Sequence, residues 1–118
     1  MIRSARLWLL VAVCGLPLLV GCRHLAPPKP LEQLTPAEAQ GHAVFQAHCA
    51  QCHYDRETGP LHGPSLLGVL QKPYLPSGAP ANDDRITATV MHGRGMMPAQ
   101  LNMDDQELQD LLRYLHTL

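Results

Sequence analysis

The 118 residues predict an all-α domain of three to four short helices joined by long irregular segments. Three observations carry that expectation. Stretches with apolar residues at helical spacing begin at recognisable capping residues. No run alternates apolar and polar residues as a half-buried strand does. Residues 58–80 contain four glycines and five prolines, a composition that breaks any long helix there.

Taken in order, the chain opens with a stretch that carries Arg3 and Arg6 and no acid. Leu7 to Val20 then forms an apolar run too short to span a bilayer comfortably, the pattern of a secretory signal. Its end, Leu19, Val20, Gly21 and Cys22, resembles the lipobox of bacterial lipoproteins. That resemblance implies cleavage after residue 21 and lipid attachment at Cys22. Cys14 leaves with the signal, so Cys49 and Cys52 are the thiols left for chemistry. The expected organisation is a signal over 1–21, a Pro-rich tether over 22–34 with Pro27, Pro28 and Pro30, and a domain over 35–118. An extended tether of that length reaches up to roughly 40 Å at about 3.1 Å per residue.

Within the domain, Thr35 with Pro36 and Glu38 reads as a capping box and opens a helix whose Ala37, Gly41, Val44 and Phe45 share one face. That helix leads directly into Cys49. Asn82 is expected to cap a helix from Asp83 to about His92, with Gly93 ending it. Asn102 with Asp105 predicts the cap of a last helix, whose Leu108, Leu111, Leu112 and Leu115 form one stripe.

Charge excludes one class of partner. Losing residues 1–21 removes two arginines and moves the formal net charge from −1 to −3, so no nucleic-acid binding is expected. The remaining chain has one Phe, three Tyr and no Trp, little bulky apolar material for a core. Domains this small often borrow stability from a metal, a disulfide or a cofactor.

The stretch CAQCHY, residues 49–54, admits a redox dithiol, half a zinc site or a c-type haem attachment. Zinc normally needs four ligands, and the sequence offers neither a second cysteine pair nor a clustered pair of histidines. A thioredoxin-like dithiol needs a βαβ context, and no strand is predicted. Haem attachment uses every residue: Cys49 and Cys52 as thioether anchors and His53 as an iron ligand. A second axial ligand is sought in VMHGRGMMPAQL, residues 90–101, which offers Met91, Met96 and Met97.

At this point the sequence resembles the small class I c-type cytochromes from about Thr35 to Leu118. Gly41, Phe45, Cys49, Cys52 and His53 match the family's first helix and haem motif. Gly63, Pro64, Leu66 and Gly68 match its G-P-x-L-x-G loop, which implies that the Pro64 carbonyl accepts a hydrogen bond from His53. Ile86 and Val90 match the short helix before the distal loop. Gly93, Gly95, Met97 and Pro98 match G-x-G-x-M-P, which implies Met97 as the distal ligand, with Met96 the competing choice. Leu108, Leu112 and Tyr114 match the closing helix, whose aromatic residue is expected against Gly41. Met91 and Met103 are expected to fill the core, and His42, His48, His62 and His116 to lie at the surface.

The resemblance implies a monomeric single-electron carrier in the cell envelope, with one haem c on Cys49 and Cys52, His53/Met97 ligation, redox-protein partners and a membrane anchor at Cys22. It implies no enzyme activity. Two rival classes remain: a peroxidase-like haem enzyme or ligand sensor with an open distal position, and a copper-binding lipoprotein using thiols and thioethers.

Overall fold

A computed structural model describes Gly21 and residues 24–118. The expected signal and the Cys22 attachment point lie outside the described residues, save Gly21. Among the described residues are three α-helices: α1 (Pro36–His48), α2 (Asp83–His92) and α3 (Asp105–Leu115). A single 3-10 turn at Leu31–Gln33 precedes them. No strand occurs among these residues, only isolated bridges between Tyr74 and Pro80 and between Arg94 and Met97.

Local chemistry accounts for the first two helices as expected. Glu38 N–H donates to Thr35 Oγ1 at 3.3 Å and Thr35 N–H donates to Glu38 Oε2 at 2.7 Å, closing the capping box that starts α1. Asn82 Oδ1 accepts from Arg85 N–H at 3.0 Å and starts α2, which Gly93 ends at φ 72°.

The third cap lies two residues later than the sequence predicts. Asp104, not Asn102, caps α3: its Oδ1 accepts from Glu107 N–H at 2.8 Å, and Glu107 Oε2 accepts from Asp104 N–H at 3.0 Å. Asn102 and Asp105 have the same three-residue spacing, but a glutamate has the reach to close the box from the third helical position. Met103 and Leu108 then occupy the flanking positions of a hydrophobic staple, and both belong to the core.

The centre of the domain is the crossing of α1 on α3. Phe45, Leu111, Tyr114 and Leu118 are its largest fully buried side chains. Gly41 faces α3 so closely that a Cβ there would collide with the Asp110 carbonyl and lie 2.8 Å from Tyr114 Cβ. Glycine in a helix interior costs about 0.8–1 kcal/mol relative to alanine, and this close approach is what offsets it. Tyr114 lies where the sequence reading puts it. Met103 is buried and Met91 packs against the core, as expected of filler.

The tether is where the structure departs most from expectation. The backbone of residues 24–30 is not helical, as predicted, but it is not free. Ala26 N–H donates to Gln71 Oε1 at 2.7 Å, Lys29 N–H donates to the Thr117 carbonyl at 2.7 Å, and Arg56 donates to the Lys29 carbonyl at 2.7 Å. The Lys29 ammonium also pairs with Glu38 at 2.6 Å. Residues 25–34 therefore lie along the domain, because the unpaired carbonyls at the C-terminal end and the Gln71 amide offer their backbone partners.

Candidate functional site

The end of α1 sets the first part of the site. Phe45 holds the last turn in the core, and the Cys49, Cys52 and His53 backbone coils on in successive turns, with Cys52 and His53 N–H both donating to the Cys49 carbonyl at 3.0 Å. Cys49 is buried, Cys52 half-buried, and no disulfide joins them. Burial, with a smaller contribution from Cys52, pushes the Cys49 thiol up to about 11. A thiol kept protonated at neutral pH is a weak nucleophile for disulfide exchange.

The loop 57–71 supplies the opposite partner of His53. Gly63 N–H donates to the Cys52 carbonyl at 2.7 Å and Leu66 N–H to the Tyr54 carbonyl at 2.8 Å, so the loop is laced to the segment that bears His53. His53 Nδ1 lies 2.7 Å from the Pro64 carbonyl oxygen. A carbonyl only accepts, so Nδ1 carries a proton, and in the neutral ring the lone pair is on Nε2. Gly63 lies against the imidazole: a Cβ there would collide with Cε1 and come within 2.8 Å of Nδ1. The sequence reading matched Gly63 to a motif without this reason for it.

The third part is a tight turn after α2. Arg94 N–H donates to the Met97 carbonyl at 3.0 Å and Met97 N–H to the Arg94 carbonyl at 2.9 Å, while Gln100 N–H returns to Val90 at 2.9 Å. In that turn Met96 is thrown outward, 98 % exposed, whereas Met97 packs against the core.

These parts frame a cavity of about 780 Å³ lined by Cys49, Cys52, His53, Pro64, Met97 and the exposed Met96 together with Ile86, Val90, Leu111 and Leu115. The volume lies within the range, roughly 300–1,000 Å³, of pockets that bury a sizeable ligand. A largely apolar chamber with two thiols, an imidazole of fixed tautomer and a thioether fits haem c. His48 and His62 also border it, His62 exposed as expected and His48 half-buried rather than a plain surface residue, and Arg94 is a cation on its wall. His92 is exposed and is not among the lining residues.

A polar knot behind the cavity was not foreseen at all. The Tyr114 hydroxyl donates to Asp55 and accepts from Arg56 Nε at 3.3 Å. The His42 ring lies 4.9 Å from the Tyr114 ring, so His42 is half-buried rather than a free surface group. Burial, reinforced by the bond to Asp55, holds the Tyr114 hydroxyl well above the usual phenol range. Asp55 and Arg56 follow His53 within three residues, yet no spacing rule marks them, because their partners are more than fifty residues away.

Comparison with known proteins identifies the class. The family described as "Cytochrome C oxidase, cbb3-type, subunit III" matches residues 36–115. A "Cytochrome c-553-like" protein of Synechocystis sp. is 38 % identical over 79 residues, covering 67 % of this chain and 67 % of its own length. "Cytochrome c6" of Tetradesmus obliquus is 30 % identical, covering 66 % of this chain and 86 % of its own length. The "Menaquinol:cytochrome c reductase cytochrome c subunit" of Bacillus subtilis is 32 % identical over 65 % of this chain, which spans about 27 % of that subunit. The chain belongs to this cytochrome c family, as a small class I c-type cytochrome. It is an electron carrier, and membership implies haem c held covalently by cysteine.

Proposed function

We propose that this chain carries single electrons on one haem c bound through Cys49 and Cys52, with His53 and Met97 as axial ligands. The observation that carries the assignment is the His53–Pro64 bond at the wall of a cavity that Cys49, Cys52 and Met97 also line. Haem supplies a one-electron Fe(III)/Fe(II) couple when bound there. The chain's own contribution is to hold its donors still. Pro64 places the proton of the neutral ring on Nδ1, which points Nε2 of His53 outward as the donor atom and raises its donor strength. The paired turn Arg94–Met97 restrains the backbone that carries the thioether, and Ile86, Val90, Leu111 and Leu115 give the chamber apolar walls.

Its partners are redox proteins of the cell envelope, met through a small, short-lived interface. The reading includes lipid attachment at Cys22 and a membrane-bound, extracytoplasmic domain, supported by the lipobox resemblance. Visible spectra of the oxidised and reduced protein, made with c-type haem maturation, test the haem assignment. A low-spin spectrum that survives acid-acetone extraction and shows a methionine-to-iron charge-transfer band is expected. Colourless protein, or a high-spin spectrum, refutes it. For the anchor, Cys22→Ala is expected to leave unprocessed precursor, and normal processing with membrane retention removes Cys22 from the assignment.

A further inference from the structure

Residues 25–34 are bound to the domain at more points than a spacer requires. Gln71 alone makes three of the contacts. Its Oε1 accepts from Ala26 N–H at 2.7 Å, and its Nε2 donates to the Ala26 carbonyl at 3.2 Å and to the Leu118 carbonyl at 2.9 Å. Leu25 covers Gly68, where an added Cβ would lie 3.0 Å from Leu25 Cδ1. Gly68 N–H in turn donates to the Leu118 carbonyl at 3.0 Å, and Lys29 is held by Thr117, Arg56 and Glu38. The bound segment thus joins the C-terminal end, the loop 66–71 and the segment just after His53.

The loop under this segment is also part of the cavity. Leu66, Val69 and Leu75 line the chamber, while Gly68 and Gln71, from the same stretch, hold Leu25 and Ala26. Beyond Gln71 the loop exposes Lys72 and Tyr74, the latter 62 % exposed. A tyrosine with an apolar body and polar tip, beside a lysine, suits the headgroup layer of a bilayer.

We infer that residues 25–34 form a mooring strap, which holds the domain against the bilayer carrying the Cys22 lipid with the Gln71–Tyr74 loop facing it. The inference rests on the lipid attachment proposed above. Only four peptide steps separate Cys22 from Ala26, a reach of at most roughly 14 Å at about 3.3–3.6 Å per residue. A tether free as far as Leu34 reaches roughly 40 Å. The strap therefore replaces a wide sweep over the membrane with one short distance and one orientation of the cavity.

The test uses full-length lipidated holoprotein in phosphatidylethanolamine–phosphatidylglycerol vesicles with a trace headgroup fluorophore, which haem quenches by energy transfer. Two variants are compared. Gln71→Ala removes the contacts that hold Ala26; a Gly-Ser insert of about eight residues between His24 and Leu25 adds roughly 16 Å of root-mean-square reach and leaves every strap contact intact. Both are expected to lower transfer efficiency: the insert extends the roughly 14 Å reach to roughly 30 Å, and Gln71→Ala moves the first firm holding point from Ala26 to Lys29, a reach of up to roughly 25 Å. In the unaltered protein, hydrogen exchange is expected to show protected Ala26 and Lys29 amides, with Ala26 protection lost in Gln71→Ala. Equal quenching in all three proteins, or unprotected Ala26 and Lys29 amides, overturns the strap. Mass spectrometry separates the two failures: an acylated Cys22 with equal quenching refutes the strap alone, whereas a chain without acyl mass refutes the anchor and the strap with it.

Discussion

Replacing Gly63 by alanine tests the site where backbone and ligand meet. The new Cβ comes 2.8 Å from His53 Nδ1 and 3.0 Å from Nε2, and still closer to Cε1, whereas ordinary contact begins at 3.4 Å. Either the imidazole or the loop must shift by at least about 0.6 Å, and since Gly63 adjoins Pro64, either movement disturbs the 2.7 Å bond between His53 and Pro64. Losing that bond costs about 0.5–1.5 kcal/mol and overpacking the loop about 1–3 kcal/mol. A loss of about 2–4 kcal/mol is expected, and at roughly 4–8 °C per kcal/mol for a domain of this size it lowers Tm by at least about 8 °C. The assay is thermal melting of the holoprotein, followed in the visible haem bands and by far-UV circular dichroism. An unchanged low-spin spectrum with an unchanged Tm refutes the argument that the missing side chain makes room for His53.

Three further outcomes follow from the same geometry. Met97→Ala is expected to abolish the methionine-to-iron band and admit added imidazole or cyanide, while Met96→Ala, at a 98 % exposed position, leaves both properties unchanged; the reverse pattern reassigns the ligand. Gly41→Ala gains helix propensity yet drives a Cβ into the Asp110 carbonyl, so urea unfolding is expected to show a net loss of about 1–3 kcal/mol, and a gain refutes the close approach. Burial and the bond to Asp55 raise the Tyr114 pKa above its ordinary value of 10.0, so the folded state keeps a proton that the unfolded chain releases. That contribution is complete below pH 10 and is lost as pH rises towards the folded value; Tyr114→Phe is expected to flatten this alkaline slope in denaturation experiments.

Much of the helical framework was legible because its signals are local. Thr35 and Glu38 close their box across three residues, Asn82 reaches Arg85, and Gly93 ends α2 where an α-helix stops favourably. The same locality misled at α3, where Asn102–Asp105 and Asp104–Glu107 share a spacing and only the longer acid closes the cap. The candidate site divides in a similar way. The spacing of Cys49, Cys52 and His53 is covalent and readable, and the glycine-rich match favoured Met97, but the exposure of Met96 follows from the paired turn between Arg94 and Met97.

From the residues alone came the all-helical class, two of the three helix starts, the thiol pair beside His53 and the resemblance that named the family. Tertiary structure decided which residues meet across the chain: Gly63 with the His53 ring, Asp55 and Arg56 with Tyr114, and the strap with Gln71 and the C-terminal carbonyls. The physical reason is range. Caps and motif spacing are settled by interactions within one helical turn, whereas these contacts unite residues ten to ninety positions apart and need the chain folded back on itself.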